Sequence, residues 1–449
     1  MKKVLLFILA LVPFIATAFD LNAAYLHAQN YNADYLAQTE KTIADSELAV
    51  QGHSLLLPQL AATGNYSQYY LNVAGVTAYY TQPSVGAGFQ QVIFDFNKFS
   101  QYTKGKTTSR LSNIQLANAK QQLIVNVAQS YFDVLYATDN INAVRLNKDA
   151  FLRQLNNAKK SFDAGTVAIT DVNDAQANYD AALAGEIQAE NNLINKKNIL
   201  HNQTGLNPDL VQPLIDQIHL VPPTPSSVTQ WVDMAKAANL NIKIAMMQLE
   251  LATQNIHIAK SGHMPILSLY GNYFYQAVPS ISAVNPPSAT SITNQFLNFA
   301  GLPMSNYAQG SVGLQLSLPI FSGGGINSQV RQSIDNYQVA REQLTAAERQ
   351  TDQNTRNAFY QVQNGVSIVS AQTQALKSAK LKLNADKIGY QVGIRNSINL
   401  INSQKSYADT LLKYNQTRYQ YLTAQLQLEY LSGKINEEFL NLINGNIKQ

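Results

Sequence analysis

The 449-residue chain has no cysteine, a single tryptophan and only 13% charged residues. Without cysteine there is no disulfide framework, no thiolate metal site and no lipid-modified N-terminal cysteine, so packing must hold the fold. The sparse and nearly balanced charge, +4 in all, argues against nucleic acid as a partner. Proline is missing from two long stretches, between Pro83 and Pro208 and after Pro319. Proline breaks helix interiors, so both stretches are free to be helical. Catalytic constellations are missing as well. The six histidines (His27, His53, His201, His219, His257 and His263) show no metal-ligand spacing. Gly323-Gly324-Gly325 lacks the Lys-Ser/Thr of a nucleotide loop. The expectation is a protein that is not an enzyme and holds no cofactor and no metal. The basic cluster Lys104, Lys106 and Arg110 reads as a solvated or lipid-head-group face.

Residues 1–18 read as a secretory signal peptide. Lys2 and Lys3 open it, an apolar run follows, and Ala16-Thr17-Ala18 supplies small residues for cleavage. That run falls short of the ~20 residues a membrane-spanning helix needs, and no later segment reads as one. The expected product is exported, and is soluble in the periplasm, secreted, or inserted as a β-barrel.

What is present is a repetition. Phe162-Asp-Ala-Gly165, Gln176, Tyr179 and Leu183 return 228 positions later as Tyr390-Gln-Val-Gly393, Gln404, Tyr407 and Leu411. Leu57-Pro58 and Gly64-Asn65-Tyr66 return as Met264-Pro265 and Gly271-Asn272-Tyr273, at an offset of 207. Ser84-Val85-Gly86 returns at 227 as Ser311-Val312-Gly313. The chain is read as two structural repeats, 19–226 and 227–449, the second with about 20 extra residues in an external loop at 280–308.

Each repeat holds a long helical segment, 97–163 and 327–391. The first is about 100 Å long if straight, at about 1.5 Å per residue. Ile124, Val127, Tyr131, Val134 and Ile141, then Leu152, Leu155 and Phe162, follow the 3.5-residue seam of a coiled coil.

Each repeat also holds two strands that alternate with period 2. In 311–320, Val312, Leu314, Leu316, Leu318 and Ile320 share one face. Near Pro58, Leu60, Ala62, Gly64, Tyr66 and Tyr70 share one. In 84–94 it is Val85, Ala87, Phe89 and Ile93, and in 266–277 it is Leu267, Leu269, Tyr273 and Tyr275. Apolar-out, polar-in strands of about ten residues mark a transmembrane β-barrel with an aqueous lumen. Tyrosines in 66–80 and 270–275 suit an interfacial girdle. Four strands cannot enclose a lumen, since small closed barrels start near eight strands. Open edges are not tolerated in lipid, so several copies must share one barrel.

These residues resemble the TolC-type outer-membrane efflux and type I secretion channel family over essentially the whole mature chain. The resemblance rests on the Leu57-Pro58 and Met264-Pro265 strand entries, the two strand pairs and the two helical hairpins. Its most specific piece is Phe162-Asp-Ala-Gly-Thr-Val-Ala-Ile-Thr-Asp-Val172 with Gln176 and Tyr179, similar to the family's first periplasmic turn; Tyr390-Gln-Val-Gly-Ile-Arg395 resembles the second.

The resemblance implies a mixed α and β membrane protein, a homotrimer. Four strands per protomer would form one 12-stranded outer-membrane β-barrel, continuing into a long periplasmic α-helical barrel. Segment 207–228 and the tail after Gly433 would form an equatorial belt. The implied function is a passive outer-membrane exit duct of a tripartite efflux pump or type I secretion system, or of both. A periplasmic adaptor (membrane fusion) protein and an inner-membrane efflux or ABC transporter would dock and open its periplasmic end, and outer-membrane lipid would surround its barrel. The competing reading is a soluble periplasmic coiled-coil bridging or adaptor protein.

The resemblance also assigns residues. Thr170 and Asp171 in the first hairpin, with Tyr390 and Arg395 in the second, match the polar links that hold the periplasmic gate closed. The turns where an adaptor docks are Gly165, Thr166, Val167 and Ala168, and Gly393, Ile394, Asn396 and Ser397. Gly165 and Gly393 also read as helix C-caps, because glycine accepts the left-handed conformation there. Where the family archetype places two acidic residues at the constriction, this chain has Asn399 and Asn402, three apart and so on one helix face. Three copies would form rings of amides, which attract cations less than carboxylates do.

Overall fold

The computed structural model describes residues 18–73, 76–215, 217–277, 280–283 and 305–447. All but the last residue of the signal segment and most of the 280–308 loop lie outside the described residues. The chain order is α1 (Leu21–Tyr31), α2 (Ala33–Ser54), β1 (Gln59–Val73), β2 (Val76–Phe94), α3 (Phe96–Asp163) and α4 (Ile169–Thr204). After a short 3-10 helix at Pro208–Leu210 come α5 (Val228–Ala238), α6 (Leu240–Ser261), β3 (Ile266–Gln276), β4 (Ser280–Ala283), β5 (Tyr307–Ser317), α7 (Gly325–Gln391), α8 (Ser397–Leu431) and α9 (Glu437–Asn444). The chain divides into two compact units, 1–41 with 113–244 and 344–449, and 42–112 with 245–343. No described helix is long and apolar enough to cross a membrane.

The second unit carries one antiparallel sheet in the order β1-β2-β3-β5. β4 pairs with β2 beyond the end of β3, with Ser84 opposite Gln276 and Thr81 opposite Ser280, so it continues the line of β3. The register carries one face across the whole sheet. Leu60 lies opposite Phe89, Ala87 opposite Tyr273, Val85 opposite Tyr275, Gly271 opposite Val312 and Leu269 opposite Leu314. Directly opposed residues project from the same face. Hence most apolar residues of the strands collect on one side, although Ile266, Tyr270 and Phe274 of β3 fall on the other. Asn65, Ser84, Gln276, Asn272 and Ser311 collect on the other. Among the described residues nothing covers the apolar side at Leu60 or Val312, which are 83% and 75% exposed.

Three strand expectations need correction. β2 starts at Val76, eight residues earlier than the alternation suggested, because it pairs with β1 all the way to Val73. A bulge between Val92 and Phe94 makes Phe94, not Ile93, the partner of Leu267 on the apolar face. β5 ends at Ser317, where pairing with Ile266 ends, so Leu318 and Ile320 lie beyond the strand despite their alternation.

In the same unit, α2 and α3 touch backbone to backbone at two glycines. A Cβ on Gly105 would stand 2.4 Å from the Leu48 carbonyl oxygen, and one on Gly52 would stand 2.8 Å from Tyr102 Cα. The single glycine inside the long helix therefore permits close approach and leaves the helix unbroken.

The first unit is helical. Ile124, Val127, Tyr131, Val134 and Ile141 are all buried, as the seam predicts, and so is Leu155. Leu152 and Phe162 are exposed instead: around Leu152 the buried face is carried by Phe151 and Leu155, and Phe162 lies in the last turn of α3. The N-terminal segment, the 207–228 linker and the C-terminal tail meet on this core. Phe19 bridges Val211 and Leu214 bridges Ile447. The Tyr131 hydroxyl donates to the Gln212 carbonyl at 2.9 Å, and Asn444 Nδ2 donates to Asp20 Oδ2 at 2.7 Å. The Tyr419 hydroxyl donates to Asp139 Oδ2 at 2.8 Å, while burial pushes the Asp139 carboxyl above its ordinary range. Arg418 lies over the Tyr414 ring and donates to the Ile215 carbonyl, tying linker to helix.

Candidate functional site: the two hairpin turns

The two long hairpins, α3–α4 and α7–α8, reverse through the same turn. In the first, Gly165 N–H donates to the Phe162 carbonyl and Thr166 N–H to the Ser161 carbonyl. In the second, Gly393 donates to Tyr390 and Ile394 to Gly389. Each is a Schellman pair that satisfies the last carbonyls of a helix. Gly165 and Gly393 have φ of 72° and 79°, which only glycine adopts without strain.

The helices leaving the turns are started differently. Asp171 Oδ2 accepts from the Ala168 N–H at 3.3 Å, so this carboxylate caps α4. Asn396 is the N-cap of α8, and its side chain accepts from the Asn399 N–H at 3.0 Å. Arg395 folds back over Gly389, with its Cγ 2.7 Å from where a Cβ would stand. Its Nε lies 3.4 Å from Asp386 Oδ1, in a pair between an exposed guanidinium and a nearly buried carboxylate. The pair is not legible in the sequence, because a nine-residue separation across a turn carries no periodic signal.

A cavity of about 900 Å³ separates the two hairpins. Asp171 and Val167 line it from the first hairpin, and Tyr390, Asn396, Ser397 and Asn402 from the second. Its wall is rich in amides, and the side-chain oxygens of Asn147 and Gln154 on it are buried without a protein partner. Water can satisfy such atoms in a polar cavity of this size. Thr170 is exposed at the start of α4, and Asn399 is half-buried on the first turn of α8. The structure thus gathers Asp171, Tyr390 and Asn402 around one cavity, while Arg395 is engaged by Asp386.

Further up the first hairpin, Glu186 of α4 accepts from Lys148 Nζ at 2.8 Å and from Arg145 Nε at 3.1 Å, both on α3. The Lys148 hydrogen bond, with Arg145 behind it, holds the Glu186 carboxyl below its ordinary range. Among the described residues no group of His, Cys, Asp and Glu is arranged to hold a metal ion.

A family model described as outer membrane efflux protein matches residues 28–206 and 231–434. The chain belongs to the outer membrane efflux protein family. This family member is 32% identical over 436 residues to outer membrane protein TolC of Salmonella enteritidis, spanning 96% of this chain and 86% of that protein. It is 24% identical over 441 residues to the alkaline protease secretion protein AprF of Pseudomonas aeruginosa, spanning 96% and 88% of the two chains. Among solved structures, the Campylobacter jejuni CmeC outer membrane channel matches its fold with a TM-score of 0.75, at 18% identity over 96% of this chain and 90% of that one. The TolC-type resemblance read from the turns and strand entries is borne out. This efflux-family protein is an outer-membrane channel of the efflux and type I secretion kind, with a periplasmic helical part. The soluble coiled-coil alternative finds no support in these relatives.

Proposed function

We propose that three copies of this chain form a passive exit duct that an adaptor and an inner-membrane transporter open at the hairpin turns. One observation carries the reading: the sheet is predominantly apolar on one face and predominantly polar on the other. An apolar face suits lipid and a polar face suits a watery lumen. Among the described residues, β1 and β5 are each paired on one side only. Lipid does not tolerate such edges, so β5 of one copy pairs with β1 of the next. Twelve strands then close the barrel. The helices continue it through the periplasm, and each chain contributes two repeats, 19–226 and 227–449, after a signal segment at 1–18. The protein carries out no catalysis; the partner transporter supplies the energy.

In this reading the cavity between the hairpins belongs to the closed gate. Asp171, Thr170 and Tyr390 offer the polar links, and Arg395 is shared between Asp386 and Asp171 as the hairpins move. Asn399 and Asn402 ring the constriction. An adaptor that binds the open state better shifts the population towards it.

The test is dye and antibiotic accumulation in cells lacking the protein, with and without its restoration. Accumulation that rises on deletion and reverses on restoration supports small-molecule efflux. Unchanged accumulation together with unchanged secreted proteins would overturn the duct.

A further inference from the structure

The two turns share one backbone geometry but not one chemistry. The offset of 228 allows a residue-by-residue comparison. Leu381, Ile388, Val392 and Ile394 of the second hairpin stand where the first has Arg153, Lys160, Ala164 and Thr166. The four apolar side chains are 63%, 61%, 62% and 81% exposed, so no described part of the chain covers them. Charge differs in the same sense. Lys377, Lys380 and Lys382 are exposed on α7 ahead of this turn, where the first hairpin has Asp149, Leu152 and Gln154, while Lys387 is matched by Lys159. Conversely, Asp171 and Asp174 of the first hairpin align with the amides Asn399 and Asn402. The first turn keeps two exposed apolar residues of its own, Phe162 opposite Tyr390 and Ile169 opposite Ser397. On balance the first turn carries charges of both signs, and the second is apolar and follows a basic stretch of helix.

Exposed apolar clusters with a polar rim mark interaction sites. A copy packed alongside would cover helix flanks such as Leu381. It would not cover Val392 and Ile394, which stand in the turn between the end of α7 and the start of α8. What fits there is a partner arriving end-on.

We propose that the turns are unequal docking sites. The second, through Ile388, Val392 and Ile394 with the α7 lysines behind them, anchors an adaptor whose tip presents an apolar side chain flanked by carboxylates. The first makes a weaker, polar contact. This rests on the adaptor-docking reading above and adds the asymmetry to it. Central, desolvated apolar contacts carry most of an interface's affinity, while exposed rim charges mainly steer association.

The test places a photo-crosslinking benzoyl-phenylalanine at Ile394 or at Thr166 of the full-length chain in its own cells, with crosslinked products identified by mass spectrometry. Position 394 should trap a periplasmic protein other than this chain in about tenfold higher yield than position 166, the ratio that ~1.4 kcal/mol of added affinity gives. Rewriting the second turn as the first, Ile388→Lys with Val392→Ala, should cut the 394 product by a similar factor and lower dye export. These exposed positions leave the core intact, and the amount of variant in the outer membrane checks this. Equal yields at 394 and 166, an unaffected 394 product, or a 394 product that is a second copy of this chain would overturn the asymmetry alone. Failure of either position to trap another protein while dye export persists would overturn the docking reading as well.

Discussion

Two mid-helix glycines should respond to alanine in opposite directions. Gly185 in α4 has only Val144 Cγ1, at 3.9 Å, near the site of a new Cβ, which is an ordinary contact. Alanine there should stabilise by about 1 kcal/mol, the difference in helix propensity. Gly105 in α3 offers the same gain, but its Cβ would stand 2.4 Å from the Leu48 oxygen and 3.0 Å from the Leu48 carbon. Those are backbone atoms of a packed helix, so α2 and α3 must move apart. Overpacking of this kind costs about 1–3 kcal/mol. Because backbone cannot rotate away, the upper end applies, and the net effect is about 2 kcal/mol of destabilisation after the propensity gain. The assay is the half-life of the detergent-solubilised protein at one elevated temperature, followed by far-ultraviolet circular dichroism. Gly185→Ala should lengthen it and Gly105→Ala shorten it. A Gly105→Ala variant that outlasts the parent would refute the close packing of α2 on α3.

Asp139→Asn should stabilise the protein at neutral pH. Burial raises the folded carboxyl's pKa, so its ionisation costs stability as pH rises from the unfolded value through the folded one; the gain should vanish in acid and show in melting curves across pH. Glu186 behaves oppositely: its folded pKa is lowered, so its contribution is present above the unfolded value and lost as pH falls through the folded one. Glu186→Gln should abolish that acid-side loss, while hydrogen exchange along α4 speeds up at neutral pH. Asn399→Asp should raise cation selectivity, read as a shifted single-channel reversal potential; a selectivity already strong and unchanged by the substitution would remove the amides from the constriction.

The long helices were legible because proline is absent from them, and in the first a 3.5-residue seam marks the core: residues 97–163 against the observed Phe96–Asp163. The strand faces were legible from period 2, yet strand ends were not. Val76 joins β2 through pairing with Val73, and Leu318 leaves β5 because its partner strand has ended. Pairing partners set ends, and alternation does not see partners. The turn glycines were legible because φ near +75° selects glycine; the role of Gly105 was not, since a close approach depends on a second helix. The family resemblance placed Asp171, Tyr390 and Arg395 at the two turns. It could not reveal that Arg395 reaches Asp386, because side-chain direction at a turn follows from local packing over Gly389.

The most direct test of the central claim asks which sheet face meets lipid. Trp231 is the only tryptophan and is buried, so it can be replaced by phenylalanine to leave a dark background. A tryptophan is then placed at Val312 or at Ser311, neighbours on opposite faces of β5, and the protein is reconstituted in bilayers. The account predicts that brominated acyl chains quench the Val312→Trp fluorescence and aqueous iodide quenches Ser311→Trp. Quenching of both by iodide alone, or the reverse assignment, would contradict a lipid-facing apolar sheet.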